Sequence, residues 1–455
     1  MVPSPLSVIY LSPGAGGMYC GSCLSDNMLV RALRRQGADV TLVPLYTPLL
    51  TEEPDQSISQ VFFGGLSVYL RQVVPLADRL PRFLSRWLDR PVLLRAISRS
   101  AIRTDARRLG ALTLSMVRGE HGRQRADAAR LVEWLARQPR PDAINFGNLL
   151  VAGCVPLLKR KLGVPIIVTL QGDDLFLDGL TPTYRDAVHA ELKRIVRDVD
   201  GFLAHSQYYA AEMARRFEIP RERIHVVPLG ISLSGMALAT GDHDEHNPGP
   251  AAGAVPLTKL PSAPTVGFLA RICPAKGLHA LVEAFIRLRG MPGMSGARLY
   301  VAGWLGPDDE DYFRQQQQRL AEAGHAEALH LIRAPDRAAK LQFLREIDVL
   351  SVPTVYQEPK GRYVLEALAA GVPVVQPRHG AFPELLASTG GGKLFEPGDA
   401  AGLATSLFEL LLDTERRQAL GRQGQAGVAA RHGDEHTAQA TLAVYRRFVP
   451  NERQQ

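Results

Sequence analysis

The chain has no long apolar run. In its 455 residues no uninterrupted apolar stretch reaches the roughly 18 residues that a membrane-spanning helix needs. The amino terminus also lacks a basic segment, and its apolar stretch at residues 6–11 is shorter than the core of a signal peptide. We therefore predict a cytoplasmic protein whose first apolar stretch is a buried strand.

Cysteine is scarce as well. Four cysteines are too few for a disulfide framework in a chain of this length. Cys20 and Cys23 form a CGSC spacing, which occurs in redox pairs and in halves of zinc sites. No second CxxC and no histidine pair with ligand spacing accompany them. The favoured interpretation is a packed turn beside a ligand loop, and a redox or metal role is the alternative.

The composition, with 46% hydrophobic and 22% charged residues, is that of an ordinary globular protein of two or three domains. A net charge of +7 favours anionic partners such as nucleotide phosphates, acidic glycans or a membrane face. Arginines recur every four residues over much of residues 79–108, above an apolar stripe typical of amphipathic helices. Their basic face is either solvated, which is favoured, or docks on the inner face of an anionic membrane or on an acidic acceptor. No nucleic-acid-binding module accompanies the charge, so we expect no nucleic-acid partner.

Apolar strands alternate with helical segments twice along the chain. This alternation predicts parallel sheets covered by helices. Residues 235–263 interrupt it with a Gly- and Pro-rich stretch that we interpret as a flexible insertion. The predicted strands are residues 8–11, 40–43, 143–145, 165–170, 201–204, 224–227, 265–269, 298–302, 328–332, 349–352, 372–377 and 393–395. A single helix is predicted over residues 400–429, and a last one over residues 437–448.

The segment YQEPKGRYVLEALAAGVPVV, at residues 356–375, places Glu358 and Glu366 eight positions apart. Gly361, between them, allows the backbone to approach a ligand closely. A helix is predicted to begin near residue 363 or 364, with Glu366 in its first turn. Its free N–H groups and positive dipole end suit an anion or sugar hydroxyls. The alternative is a helix with an ordinary capping glutamate.

The Glu358-x(7)-Glu366 pair followed by ALAAGVPVV resembles the signature of retaining nucleotide-sugar glycosyltransferases of the GT-B fold, above all glycosyltransferase family 4. The resemblance implies an α/β fold of two Rossmann-like domains whose parallel sheets face each other across a cleft. Residues 1–234 would form the acceptor-binding domain and residues 264–436 the nucleotide-sugar-binding domain. The terminal helical segment, residues 437–455, would cross back to the first domain.

The resemblance also implies roles for particular residues. Glu358 would lie at the reacting sugar and Glu366 at the ribose of the nucleotide. Backbone amides of Gly361 and Arg362 would hold the hydroxyls of the donor sugar. Lys360 stands where the family usually has an aromatic residue. This lysine either favours an acidic donor or acceptor or, as the favoured alternative, points to solvent.

Two further loops follow predicted strands. Two fixed cations neutralise the charge of a departing nucleoside diphosphate, and Arg271 and Lys276 in RICPAKG resemble that element of the family. The glycine-rich SPGAGG loop is either a tight turn or a backbone platform for phosphate or sugar. The resemblance to the family implies that Gly16 and Gly17 belong to such a backbone platform for phosphate or sugar. Gly65 lies in a second glycine pair that lines the cleft or forms a turn.

The acceptor side departs from the family. Gln171 stands where many relatives have a histidine; glutamine can hydrogen-bond a hydroxyl but cannot exchange protons near neutral pH. Asp173 either binds an acceptor hydroxyl or caps a helix. Asn148, in NFGN, stands where relatives often have an HxH-like element. The HGAFPELL segment that begins at His379 resembles a family loop that packs at the donor site.

The resemblance thus implies a retaining, hexosyltransferase-type enzyme. It would move a sugar from a nucleotide-sugar donor to a hydroxyl of a glycan, lipid-linked or small-molecule acceptor. The nucleotide sugar is a co-substrate, and neither a metal nor another cofactor is expected. Two alternatives stay open, a sugar phosphorylase on the same fold and a non-catalytic nucleotide-sugar-binding protein.

Overall fold

The computed structural model of the chain describes residues 5–14, 20–63, 106–236 and 263–449. It divides into two compact units. Unit 1 comprises residues 1–230 and 434–455, and unit 2 comprises residues 231–433. The predictions for Gly16, Gly17, Gly65, the arginine side chains of residues 79–108 and most of the insertion at 235–263 concern positions outside this description.

Unit 1 contains a six-stranded sheet in the order β2-β1-β3-β4-β5-β6, with every neighbouring pair parallel. Alternate residues of its strands point to two separate hydrophobic clusters, so both faces of the sheet are covered. Ile9 and Ile144 face one cluster, and Tyr10 and Ala143 face the other. The strands are β1 Ser7–Ser12, β2 Asp39–Pro44, β3 Ala143–Phe146, β4 Ile166–Thr169, β5 Gly201–Ala204 and β6 Ile224–Val226.

The last described helix of the chain belongs to unit 1. Its Leu442 and Tyr445 pack into the same hydrophobic cluster as Leu33 of the first helix. Arg35 and Asp434 form an ion pair of 2.5 Å at the edge of this packing. The α-helices of unit 1 are α1 Gly21–Arg35, α2 Ala106–Val117, α3 Arg125–Arg137, α4 Val155–Leu162, α5 Asp173–Asp178, α6 Pro182–Asp198 and α7 Gln207–Phe217, together with the final helix, Asp434–Arg446.

Unit 2 contains a second six-stranded parallel sheet, in the order β12-β11-β10-β7-β8-β9. Its central strands consist almost entirely of buried apolar residues, as strands covered on both faces require. The strands are β7 Thr265–Leu269, β8 Arg298–Gly303, β9 Leu329–Arg333, β10 Val349–Leu350, β11 Val374–Pro377 and β12 Gly392–Phe395.

The single helix predicted over residues 400–429 is wrong, because the structure has two helices there. Asp413 separates them: its side chain accepts a hydrogen bond of 2.9 Å from the amide of Arg416 and caps the second helix. The α-helices of unit 2 are α8 Leu278–Arg289, α9 Glu310–Glu322, α10 Arg337–Glu346, α11 Arg362–Ala369, α12 Phe382–Thr389, α13 Ala400–Leu412 and α14 Thr414–Arg431; the final helix of the chain is therefore α15.

In unit 2 the strand order reverses between β7 and β10. The chain moves outward from β7 to β8 and β9, and then returns to the other side of β7 to form β10. Ligands of open α/β sheets bind beyond the carboxyl ends of the strands at such a reversal. The loops that follow β7 and β10 contain Lys276 and Glu358. The sheet order by itself therefore indicates a candidate ligand site at these two residues. No helix in the described part of the chain is long and apolar enough to cross a bilayer.

Candidate functional site

The loops that follow β7 and β10 pack directly against each other. The amide of Val355 donates a 3.0 Å hydrogen bond to the carbonyl oxygen of Ala275. Gly277 has a positive φ of 76°, and a Cβ atom at this position would lie 1.8 Å from the carbonyl oxygen of Pro353. A side chain at residue 277 would therefore push the two loops apart.

This packing brings Lys276 to Glu358. Lys276 Nζ lies 2.6 Å from Glu358 Oε2, which also accepts hydrogen bonds from the hydroxyls of Tyr356 at 2.7 Å and Tyr363 at 3.1 Å. The other oxygen, Oε1, faces the amides of Lys360 and Gly361 at 3.4 and 3.3 Å. Glu358 is only 5% exposed, so nearly every contact of its carboxylate comes from the protein.

Burial by itself would raise the pKa of Glu358. The charge of Lys276 and the hydrogen bonds from Lys276, Tyr356 and Gly361 outweigh burial and hold this pKa at about 2. The same surroundings raise the pKa of Tyr363, through burial first and the nearby Glu358 charge second. At neutral pH the site therefore holds an ionised Glu358 carboxylate beside the neutral phenol of Tyr363.

The Lys276 ammonium also lies over two aromatic rings, 5.0 Å from the ring centroid of Tyr356 and 5.1 Å from that of Tyr363. Such cation–π contacts stabilise a cation with little access to water. Among the described residues, Lys276 forms its ion pair with the Glu358 carboxylate. A bound anionic group would meet this preformed positive charge.

Glycines shape the rest of the Glu358 loop. Gly361, with a φ of 65°, is the N-cap of α11, so the helix begins at Arg362. The prediction that Glu366 lies in the first turn is consequently wrong, because this earlier start places it in the second turn. Gly380 packs on the Glu358 backbone, since a Cβ there would lie 2.5 Å from the Glu358 carbonyl oxygen. Ala381, from the HGAFPELL segment, donates its amide to that oxygen at 2.8 Å.

Glu366 forms a second buried ion cluster. Lys340 Nζ lies 2.8 Å and Arg362 Nε 3.0 Å from the same oxygen, Oε1. Burial raises the pKa of Glu366, but Lys340 and Arg362 outweigh burial and lower it. Within the described residues, Glu366 Oε1 therefore carries both of these cation contacts. The sequence analysis predicted a role for the backbone amide of Arg362 and did not anticipate the contact between the Arg362 side chain and Glu366.

Two other predicted residues differ in burial. Arg271, just after β7, is exposed, and Lys360 is half-buried.

Buried polar atoms without hydrogen-bond partners lie near the carboxyl ends of β10 and β11. In the described structure these atoms are Ser351 Oγ, Thr354 Oγ1, Gln376 Nε2 and His379 Nδ1. Unpaired buried polar atoms are costly, and a polar ligand at these strand ends would offer them partners.

In unit 1, Gln171 belongs to a buried network around Asp26. Its Nε2 atom donates to Asp26 Oδ1 at 2.7 Å and to the carbonyl oxygen of Gly147 at 2.8 Å. Asp26 also accepts hydrogen bonds from the hydroxyls of Tyr10 at 2.8 Å and Ser12 at 2.7 Å. The side-chain amide of Gln171 is therefore fixed in orientation, with its NH₂ group engaged by the protein. A small cavity lies beside this network and is bordered by Asp26 and Gln171.

The other predicted acceptor-side residues have structural contacts. Asn148 is half-buried and caps a short 3₁₀ helix by accepting the Leu150 amide at 2.6 Å. Asp173 is 1% exposed, and its Oδ2 faces the Leu149 amide at 3.4 Å. It opens α5, whose N-cap is Gly172, so it does not act as the cap residue. Both side chains fix the loops after β3 and β4.

The CGSC segment is not a turn, contrary to the favoured interpretation. Cys20 is the N-cap of α1 and Cys23 lies in the first turn of that helix. All four cysteines lie within the described residues as thiols. The described residues contain no group of three or more His, Cys, Asp or Glu side chains placed to hold a metal ion.

The structure therefore brings Lys276, Glu358 and Gly361 together and places Glu366 on the adjoining helix. Sequence reasoning missed Lys340, Tyr356 and Tyr363 in unit 2 and Asp26 in unit 1. For Lys340 and Asp26, the helical periodicity of the sequence was a signal that could have identified them. Lys340 shares the buried face of α10 with Phe343 and Leu344, and Asp26 shares that of α1 with Cys23 and Val30. A charged residue in such an apolar stripe indicates a buried partner.

Comparisons with known proteins identify the family of the chain. The family model for glycosyl transferases group 1 matches residues 257–427, and that for glycosyltransferase family 4 matches residues 103–234. The D-inositol 3-phosphate glycosyltransferase of Segniliparus rotundus is 30% identical over 300 residues, which cover 64% of this chain and 62% of that protein. The protein of the same name from Jonesia denitrificans is 28% identical over 330 residues, covering 71% of this chain and 74% of its own length.

Solved structures share the fold over almost the whole chain. The HepE protein of Anabaena, in complex with UDP and glucose, has a TM-score of 0.65 at 16% identity and covers 97% of this chain and 100% of its own. Sucrose-phosphate synthase from Thermosynechococcus elongatus has a TM-score of 0.66 at 18% identity, covering 97% and 98%. These identities establish the fold alone, but together with the family models they confirm the resemblance: the chain belongs to the family-4-like glycosyltransferases of the GT-B fold.

Proposed function

We propose that this protein transfers a hexosyl group from a nucleotide sugar to an acceptor hydroxyl with retention of anomeric configuration. The observation that carries the proposal is the ion pair between half-buried Lys276 and buried Glu358, 2.6 Å apart at the strand reversal of unit 2. Ordinary structural ion pairs are mostly exposed, whereas a buried charged pair in such a place is typical of a ligand site. The Glu366 cluster on the adjoining helix supplies the second contact that a nucleotide needs.

Each side chain has a proposed role. Lys276 and the exposed Arg271 would neutralise the diphosphate as it leaves, because charge develops there in the transition state. Glu366 would accept the ribose hydroxyls through Oε2. Glu358 cannot serve as a general acid near neutral pH, since its pKa is about 2. It would instead orient the donor sugar and stabilise positive charge at the anomeric carbon, while the leaving phosphate assists attack by the acceptor.

Similar proteins suggest the first substrates to assay. HepE was crystallised with UDP and glucose, and the relatives from S. rotundus and J. denitrificans are named for transfer to D-inositol 3-phosphate. We therefore propose a UDP-hexose donor and an anionic polyol acceptor as the leading pair. The net charge of +7 agrees with both substrates being anions. We propose no metal requirement, because two cations of the protein can neutralise the diphosphate.

A thermal-shift panel of UDP, GDP, ADP and their sugar conjugates tests the donor site, because a ligand that binds only the folded state raises the unfolding temperature. We expect one nucleotide to give a clear shift. The nucleotide sugar should then yield free nucleoside diphosphate and an α-linked product from an α-linked donor, identified by NMR. Nucleotide binding without turnover over any acceptor would contradict the proposal and favour the binding protein. A shift only with phosphate and sugar phosphates would contradict it and favour the phosphorylase.

Replacing Lys340 by methionine should weaken nucleotide binding by about tenfold while leaving kcat nearly unchanged. The substitution keeps the volume of the buried side chain but removes one of the two cations that fix Glu366 Oε1. Loss of such a charge-assisted hydrogen bond costs on the order of 1.5 kcal/mol. Isothermal titration with the nucleoside diphosphate and with its 2′- and 3′-deoxy forms measures the effect. The loss of affinity caused by removing a ribose hydroxyl from the nucleotide should be smaller for the variant than for the wild type.

Lys393→Met is the matched control, because Lys393 pairs with Glu409 at the surface of the same unit. It should leave nucleotide affinity and ribose discrimination unchanged. If Lys340→Met and the control bound the nucleotide and its deoxy forms equally well, the assignment of Glu366 to the ribose would be wrong.

A further inference from the structure

The amino-terminal end of α1 places two cysteines side by side. Cys20 is the N-cap, with extended backbone angles, and Cys23 follows in the first turn of a 15-residue helix. Residues three apart at a helix start lie on one side of the helix. The amide of Leu24 donates a 3.0 Å hydrogen bond to the carbonyl oxygen of Cys20, so both cysteines belong to one closed helical turn. Two cysteines placed three residues apart across such a turn can form a disulfide with small movements of their side chains.

The two cysteines differ in exposure. Cys20 is half-buried, whereas Cys23 is completely buried. The N-terminal N–H groups and the positive end of the helix dipole stabilise a thiolate at the N-cap position. Cys20 can therefore be reached by a small molecule and is favoured as the attacking nucleophile. Cys23, directly behind it, is sheltered and placed to react only with Cys20.

Cys23 is held in its protonated form. The neighbouring Cys20, burial and the Asp26 charge raise the pKa of the Cys23 thiol, and Ser12 lowers it. A thiol kept protonated is a poor nucleophile toward free disulfides. Once Cys20 carries a mixed disulfide, the attack by Cys23 is intramolecular and can compete. Neither Cys154 nor Cys273 belongs to a CxxC, and both are buried.

We propose that Cys20 and Cys23 form a reversible thiol–disulfide exchange site for small-molecule disulfides of the glutathione type. The Cys20 thiolate attacks one sulfur of the disulfide RSSR, forms a mixed disulfide with one R–S group and expels the other as RS⁻. The Cys23 thiolate then attacks Cys20 Sγ, closes the Cys20–Cys23 disulfide and expels the second RS⁻. The two protein protons convert both leaving groups to RSH. The protein dithiol is thereby oxidised as RSSR is reduced to two thiols.

The site has a structural consequence within unit 1. Closing the disulfide moves the side chain of Cys23, which lies in the same hydrophobic cluster as Tyr10. The Tyr10 hydroxyl bonds the Asp26 carboxylate that also holds Gln171. Oxidation would thus alter the surroundings of the fixed Gln171 amide. The exchange chemistry itself does not depend on the proposed glycosyl transfer, so each proposal can fail without the other.

The folded full-length chain, first reduced and then freed of reductant, should be incubated with glutathione disulfide. Samples are alkylated and mapped by mass spectrometry. We expect loss of two hydrogens per chain, localised to a Cys20–Cys23 link, at a rate at least about tenfold above that of any modification at Cys154 or Cys273. Dithiothreitol should restore the dithiol while the protein stays folded.

Two variants identify the order of events. Cys23→Ala should stop the reaction at a mixed disulfide on Cys20, seen as the mass of one glutathionyl group. Cys20→Ser changes only the half-buried residue and should leave Cys23 unmodified. The proposal is overturned if wild type forms the link only under denaturing conditions, if Cys154 and Cys273 react as fast, or if Cys23→Ala leaves Cys20 unmodified while its unfolding temperature shows a folded protein.

Discussion

Replacing Lys276 by alanine should lower the free energy of unfolding by about 3 kcal/mol, because it leaves the buried Glu358 carboxylate without its cation. The same substitution should weaken nucleoside diphosphate binding roughly 30-fold or more, the lower end of the cost of removing a charged partner from a buried contact. Denaturant unfolding measures the first effect, and isothermal titration measures the second. These two losses have different causes and can be separated.

The double variant Lys276→Ala, Glu358→Gln separates them. Neutralising residue 358 removes the unpaired charge, so much of the lost stability should return. Nucleotide affinity should stay low, because the cation for the phosphate is still missing. Recovery of both properties together would show that Lys276 acts only by supporting the fold. Unchanged nucleotide affinity in Lys276→Ala alone would exclude its assignment to the diphosphate.

Replacing Glu358 by glutamine should reduce kcat by roughly 100-fold or more while nucleoside diphosphate affinity changes little. Glutamine keeps the size of the side chain but removes the negative charge that faces the reacting sugar in our proposal, and fixed charges of this kind account for losses of that order. Steady-state kinetics with the nucleotide sugar identified in the binding panel give kcat, and titration gives affinity. Equal kcat values for the variant and wild type would contradict a catalytic position for this carboxylate.

The same variant should change the acid stability of the protein. The Glu358 pKa falls from an ordinary value of 4.5 to about 2 on folding, so ionisation stabilises the folded state above pH 4.5. That contribution, on the order of 3 kcal/mol, is lost as pH falls through the range from 4.5 to 2. Glu358→Gln should lack this part of the slope in a plot of unfolding free energy against pH. Glu396→Gln, at an exposed ion pair, should keep the wild-type slope.

The strand pattern of this fold could be predicted from the sequence because its parallel strands are short, continuous apolar runs. All twelve predicted strands overlap the observed ones, and Gly201–Ala204 and Thr265–Leu269 have the predicted bounds. Helices were harder. Helix α6, Pro182–Asp198, was not predicted, because its buried residues Val188, Leu192 and Ile195, although at helical spacing, stand in a mostly polar stretch. The break at Asp413 depends on one capping hydrogen bond, and no proline or glycine marks it in the sequence LLLDTERR.

The candidate site was predictable only where its residues are close in sequence. Glu358, Gly361 and Glu366 form a local pattern, and Lys276 follows a strand in a recognisable loop. The contact between Lys276 and Glu358 joins residues 82 apart, and it depends on the strand reversal between β7 and β10. Lys340 could not be linked to Glu366 without knowing how α10 packs beside α11. The network of Asp26 with Gln171 likewise joins residues 145 apart.

Unit 1 takes its final helix from the far end of the chain, and this affects how the protein is made. During synthesis, the face of α1 that receives Leu442 and Tyr445 has no cover until all of residues 231–433 have been translated. At ordinary elongation rates this interval lasts on the order of ten seconds or more. The nascent first half therefore exposes an apolar surface that chaperones can bind, while unit 2 can finish folding earlier. An expression fragment ending before residue 434 would retain that exposed surface permanently.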